Sequence, residues 1–170
     1  CVGYTPLCAP NPTALAQGEL RAQPEWYALL LTRTLIGYRP LPTTISAEGS
    51  PNIVAAGFSG SGRSLKVVLC NNEPEGTSPL TVQLEVGAGM GAAQIQRLTD
   101  SSPSATSGVL LAGRPVAANG SWQAPVRMES AVSQSGTVTV ELSPDSAALV
   151  SVAPPKPALK SHSQNRHKRK

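Results

Sequence analysis

The 170-residue sequence predicts a mainly β fold, an antiparallel β-sandwich of the jelly-roll or immunoglobulin-like type, and three observations carry that prediction. Short segments alternate apolar and polar residues, most plainly at 79–86 and 136–142. Turn-forming residues separate the strand-like pieces at a spacing of roughly ten positions. Aromatic residues make up only 4% of the chain and charged residues 14%, while Gly, Pro, Ser, Ala and Val abound, a mixture that suits short strands joined by turns and not helical bundles.

Residues 1–23 read as the end of an element followed by a loop, because Pro6, Pro10, Pro12 and Gly18 oppose regular structure. A single helix is predicted over 24–37. Pro24 suits the first helical position, Glu25 faces the positive end of the dipole, and Gly37 can close the far end in a left-handed conformation. One row of its residues runs Trp26, Leu29, Leu30, Arg33, Thr34, and a wider apolar row runs Tyr27, Leu30, Leu31, Leu35. A helix this apolar must lie against something large.

Only strand patterns follow. A β-branched piece at 43–46, bracketed by Pro40, Pro42 and Pro51, is a candidate first strand, and 52–59 with 64–71 makes a hairpin across Gly60-Ser61-Gly62. Segment 79–86 puts Leu80, Val82, Leu84 and Val86 on a buried face and Thr81, Gln83 and Glu85 on a wet one. Residues 93–98 alternate more weakly, and 100–108 call for a loop. Short strands are expected at 109–111 and 115–117, joined at Gly113, and Asn119-Gly120 is the dipeptide a type I′ turn prefers, with Trp122 tucked beneath it. Strands at 136–142 and 146–152, joined by Ser143-Pro144-Asp145, complete the sandwich.

Past Ala153 the sequence turns to Pro-Pro-Lys-Pro and then to polar and basic residues, and it is expected to be disordered. Six of the fourteen basic residues fall after position 155, so residues 1–155 hold eight basic against ten acidic residues, a formal −2. Nucleic acid is therefore not expected as a partner of the body, and the tail reads first as a solvated terminus. No stretch is long enough for a membrane span. The chain begins at Cys1 without an initiator Met or the order of a signal peptide, which suggests a piece of something longer.

Both histidines, His162 and His167, lie in the tail, so no catalytic triad or typical zinc site is expected in the body, and no metal or other cofactor is predicted. Cys70 sits in an apolar run and reads as an inert thiol. No pair of carboxylates is placed by pattern in a pocket. Asn119-Gly120-Ser121 fits the N-glycosylation acceptor pattern on an exposed turn.

Several phrases, in order, resemble a known family: Gly3-Tyr4-Thr5-Pro6-Leu7-Cys8-Ala9, Pro24-Glu25-Trp26-Tyr27-Ala28-Leu29-Leu30-Leu31, Ala105-Thr106-Ser107-Gly108-Val109-Leu110-Leu111-Ala112-Gly113, Asn119-Gly120-Ser121-Trp122, Val138-Thr139-Val140 and Ser146-Ala147-Ala148-Leu149-Val150. Together they are similar to the C-terminal part of glycoside hydrolase family 79, which contains β-glucuronidases and heparanases. The resemblance implies that residues 1–38 are the last strand end, loop and helix of a (β/α)8 barrel, that 39–153 are a β-sandwich domain, and that 154–170 are a tail without counterpart. It implies that Gly3 and Tyr4 contact a sugar, with the Tyr4 hydroxyl near a uronate carboxylate, and that the substrate is a uronic-acid-containing glycan or glucuronide.

The resemblance also implies a retaining enzyme whose acid/base and nucleophile glutamates lie on earlier barrel strands, outside this chain. Asn72-Glu73 mimics the family's Asn-Glu pair but falls in the sandwich, so no catalytic residue is expected here and the chain alone should be inactive. Without its barrel the helix face that includes Leu30 and Leu31 must repack on the sandwich or stay exposed. An extracellular, secreted or vacuolar-lysosomal location is expected, with any signal segment upstream. The alternative is a non-catalytic extracellular β-sandwich that binds glycan or protein, for which Trp122 and Phe58 are the available aromatic platforms.

Overall fold

The computed structural model describes residues 8–10, 20–100, 102, 105, 107–125 and 127–155. Helix α1, Pro24–Arg33, starts after extended Gln23 with Pro24 at its first position, Glu25 in its first turn and Arg33 in its last. It stops at Thr34, sooner than the apolar pattern suggested. Tight turns then carry the chain on, with Leu35 N–H bonded to the Thr32 carbonyl and Tyr38 N–H to the Leu35 carbonyl, and Gly37 takes the expected left-handed conformation at φ 86°.

Before the helix, strands β1, Cys8–Pro10, and β2, Leu20–Ala22, pair antiparallel. This corrects the expectation that prolines keep the region irregular throughout. Pro10 ends a strand in a two-stranded ribbon, where both strands are edges and a missing N–H is tolerated.

The remaining strands are β3 Arg39–Leu41, β4 Ile53–Ser59, β5 Leu65–Asn71, β6 Leu80–Glu85, β7 Ala93–Thr99, β8 Leu110–Leu111, β9 Glu129–Ala131, β10 Ser133–Gln134, β11 Thr137–Leu142 and β12 Ser146–Val152. One sheet runs β3-β4-β5-β12-β7-β8, with β9 also on β7; the other runs β10-β11-β6. Every pairing is antiparallel. The chain leaves the large sheet between β5 and β6, returns for β7, leaves again between β9 and β10, and returns between β11 and β12. These crossings make a sandwich.

Period-two alternation decides what each face buries. On β11, Val138, Val140 and Leu142 point into the sandwich and meet Leu69, Ile95, Ala148, Val150 and Val152 of the large sheet. Burying a Leu or Val side chain of this kind contributes about 1.5–3 kcal/mol. The central strand β12 is apolar on both faces because its other face, through Leu149, meets Tyr27 and Leu31 of α1 together with Val109 and Leu111. The molecule thus has three layers: small sheet, large sheet, and α1 with the 109–122 segment.

Three local expectations are corrected. Residues 43–46 form no strand; β3 lies earlier, at the sheet edge, where Pro40 can sit without removing a central ladder bond. Thr43 is used instead as a cap, its hydroxyl accepting the Gly57 N–H at 2.9 Å where β3 ends. Residues 115–117 form no strand either; Val116 N–H goes to a side chain, as described below.

Asn119-Gly120 does not make a type I′ turn, since Gly120 alone is left-handed (φ 78°) and Asn119 is not. Paired positive φ occurs at Gly62 and Arg63 (62° and 61°), at Ala112 and Gly113 (50° and 72°) and at Ser135 and Gly136 (51° and 90°). At Gly136 the fold needs glycine twice over. A Cβ there would lie 2.7 Å from the Gly87 carbonyl carbon, and the Gly136 carbonyl accepts N–H bonds from both Val86 and Gly87.

Candidate functional site

One ring hydrogen bond ties the helix to the 109–122 segment, and a second closes that segment on itself. The Tyr27 hydroxyl accepts the Val116 N–H at 2.8 Å, and the Trp122 indole N–H donates to the Leu111 carbonyl at 3.2 Å. Trp122 packs against the cluster formed by Tyr27, Leu31, Val109, Leu111 and Leu149, so its ring supports the fold and is not a free stacking platform. Phe58 is half-buried on β4 beside Lys66 of β5 in the sheet register. Neither of the two aromatic residues named for the binding-module alternative is fully exposed.

At the other end of the helix the Lys66 ammonium donates to the Thr34 carbonyl and lies 4.5 Å from the centroid of the Tyr38 ring. A cation at a helix C-terminus is favoured by the dipole as well. This one residue pins α1 to β5.

The Asn72-Glu73 pair lies at the end of the large sheet, and its carboxylate is occupied structurally. Glu73 Oε1 accepts the Asn52 N–H at 2.6 Å, Glu73 N–H donates to Asn71 Oδ1 at 3.0 Å, and the Glu73 carbonyl accepts the Asp145 N–H at 3.3 Å. Asn71, 1% exposed, donates from Nδ2 to the Leu142 and Ser143 carbonyls at 3.0 Å each. A carboxylate that closes a turn in this way lacks the opposing group and the cleft that glycosidic chemistry needs.

Asp100 and Asp145 are brought into electrostatic contact from separate connections, a pairing no sequence pattern announced. The Asp100 carboxyl is held above the usual carboxylate range, first by partial burial and then by the Asp145 charge, against a backbone hydrogen bond from Ser102 that pulls the other way. Asp145 is left-handed (φ 48°), and its Oδ2 is buried without a hydrogen-bond partner. Neither aspartate lines the two recesses between and beside the sheets.

The main recess, about 950 Å³, opens between the sheets beneath residues 42–48. Inner-face residues Ile53, Ala55, Val67 and Leu69 of the large sheet and Val82 and Leu84 of β6 line it, and its charged lining residues are Glu48, Lys66 and Glu85. It runs along β6, which pairs only with β11 and so has a free edge. Its walls are sandwich core and not a constellation of reactive groups.

Cys70 is a free, half-buried thiol, and burial pushes its pKa up, which keeps it protonated and a poor nucleophile. Among the described residues no group of three His, Cys, Asp or Glu could hold a metal ion. No helix among them is long and apolar enough to cross a membrane. Asn119 is exposed on the turn 117–121. Gly3 and Tyr4, like the basic tail from residue 156, lie outside the described residues.

Comparison with known proteins gives a consistent picture. Residues 56–149 match the glycosyl hydrolase family 79 C-terminal beta domain. A search of the curated proteins gives no match. Among solved structures the fold is similar to a GH51 arabinofuranosidase from Xanthomonas axonopodis pv. citri (TM-score 0.56, 17% identity, 79% of this chain and 27% of that one). It is similar also to an arabinose-bound GH51 α-L-arabinofuranosidase (TM-score 0.58, 16% identity, 88% and 22%). A third is a 4-O-α-L-rhamnosyl-β-D-glucuronidase from Fusarium oxysporum 12S (TM-score 0.50, 22% identity, 66% and 25%). The likeness is one of fold, and the chain spans about a quarter of the length of these proteins.

Proposed function

We propose, from the premise that this chain belongs to glycosyl hydrolase family 79 by its C-terminal β domain, that it is the non-catalytic C-terminal portion of a β-glucuronidase- or heparanase-like retaining glycosidase. The observation that carries the reading is a helix with two apolar sides. Tyr27 and Leu31 are buried on the large sheet, while Leu29 on the opposite side of α1 is 50% exposed and Ile36, in the turn that follows the helix, is 79% exposed. A helix with apolar residues on opposite sides belongs between two bodies, and the second body in this reading is the catalytic (β/α)8 barrel.

Residues 1–38 are then the last strand end, loop and helix of that barrel, and 39–153 the sandwich that buttresses it. The open recess along β6 supports the reading too, because its apolar lining gains from cover by the rest of the parent protein. Barrel enzymes assemble their sites at the C-terminal ends of strands, and in this reading Gly3 and Tyr4 contact the sugar, with the Tyr4 hydroxyl near the uronate carboxylate. The nucleophile and the acid/base carboxylate come from earlier barrel strands, about 5 Å apart as double displacement requires. The similarity in fold to an enzyme named as a β-D-glucuronidase is in keeping with this substrate class. The reading also places the protein outside the cell or in a lysosomal or vacuolar compartment.

The test is Tyr4→Phe in the intact parent protein, assayed on 4-nitrophenyl β-D-glucuronide and on the matching β-D-glucoside. Loss of one hydrogen bond to a charged group should lower kcat/KM on the glucuronide by roughly 10- to 100-fold and leave the glucoside nearly unchanged. An equal effect on both substrates, or none on either, contradicts the assignment.

A further inference from the structure

We propose that Asn119 carries an N-linked glycan. Asn119-Gly120-Ser121 is the one acceptor triplet in the chain, since Asn11-Pro12-Thr13 has proline at the forbidden middle position. All three residues of the triplet are exposed. The turn that presents them is closed by the Gly120 N–H to the Ala117 carbonyl and the Ala117 N–H to the Ser121 carbonyl, both at 2.8 Å.

The side-chain geometry suits the transfer. The Ser121 N–H donates to Asn119 Oδ1 at 3.0 Å and the Ser121 hydroxyl to the same oxygen at 2.7 Å. A backbone N–H can only donate, so this contact fixes which carboxamide atom is the oxygen and leaves Nδ2, the atom that takes the sugar, on the unengaged side. The hydroxyl that the acceptor pattern requires two residues on thus lies beside the carboxamide. In the transfer Nδ2 bonds to the anomeric carbon of a polyprenyl-diphosphate-linked oligosaccharide. The bond from that carbon to the phosphate oxygen breaks, the lipid diphosphate leaves with the electron pair, and the amide gives up one N–H proton to a base of the transferase.

The glycan would stand near the start of α1, since a Cβ built on Gly120 lies 3.9 Å from Cζ2 of Trp26. Asn-Gly on an exposed turn has a second fate, attack of the Gly120 nitrogen on the Asn119 carboxamide carbon with loss of ammonia. Here that nitrogen's N–H is held by the Ala117 carbonyl, which opposes the attack. The inference rests on the secretory route proposed above.

The experiment takes the intact parent protein from its own source, cleaves it with peptide N-glycosidase F in heavy-oxygen water, and sequences the 119 peptide by mass. Heavy-oxygen Asp at 119 is expected. The accompanying gel shift should be lost in Ser121→Ala, which keeps the asparagine, and kept in Ser121→Thr. Unmodified Asn119, or Asp bearing only light oxygen, in a parent glycosylated at other positions overturns this inference and leaves the route standing. A parent without glycan that fractionates with cytosolic markers overturns both.

Discussion

Single residues set the smallest testable claims. Asp100 is held above the ordinary carboxylate range, so between the unfolded and folded values the folded chain keeps a proton that the unfolded chain has lost. Stability contributed by this group therefore falls as pH rises through that window. Asp145→Asn should bring the Asp100 midpoint down part of the way, because burial, the larger cause, remains, and asparagine tolerates the left-handed backbone at φ 48°. Carboxyl-carbon NMR titration reads this directly, and an unmoved Asp100 midpoint would show that the two charges do not interact.

Gly136→Ala should cost more than about 2 kcal/mol in urea unfolding, from left-handed strain plus a 2.7 Å clash with backbone. A midpoint like that of the parent sequence would refute it. These two sites also mark where sequence reading stops. Asn119-Gly120 looked like the primed turn and Ser135-Gly136 did not, because the dipeptide preference is local whereas the Gly87 backbone that crowds Gly136 arrives from another strand pair.

At the scale of elements, alternation was legible wherever one face meets core and the other meets water. Segments 79–86 and 136–142 became β6 and β11 nearly as drawn, and the hairpin at 52–71 became β4 and β5. Strands of two or three residues, such as β3, β9 and β10, carry too few positions for any period to show, although the short strand expected at 109–111 is present as β8. The helix was visible from its start signal, but its fastening was not, since Lys66 is 32 positions from the carbonyl it caps.

Lys66→Met keeps the aliphatic stem and removes the donor and the charge over Tyr38, so it should cost about 1–2 kcal/mol and speed hydrogen exchange in 31–36 before the strands are affected. Unchanged exchange in that stretch would mean that packing alone holds the helix end. Tyr27→Phe, which strips the acceptor from the Val116 N–H, should cost about 1 kcal/mol or more, read as a lower urea midpoint.

Over the whole molecule, two sheets and a covering helix make the antiparallel sandwich that the sequence predicts. Arg97 helps join the layers: its guanidinium forms paired bonds at 2.7 Å with Glu129 of the large sheet and reaches the Glu141 carbonyl of the small one at 2.6 Å. What points beyond the chain is the outer side of α1. Leu29→Lys, with Ile36→Lys in the turn after the helix, should leave the stability of the 170-residue chain within about 0.5 kcal/mol while destabilising the parent protein, if the proposed barrel covers that side. Equal tolerance in both would argue against a barrel on that face.

The family was legible because its phrases recur in order along the chain, and residues 56–149 match its C-terminal beta domain. The proposed function rests on a division of labour in which a barrel outside this chain cuts and this portion supports. Release of nitrophenolate from 4-nitrophenyl β-D-glucuronide, followed with the parent protein and with the folded 170-residue chain side by side, tests that division most directly. Turnover by the parent and none by the chain is the expected result; turnover by the chain alone that disappears in Glu73→Gln would contradict it.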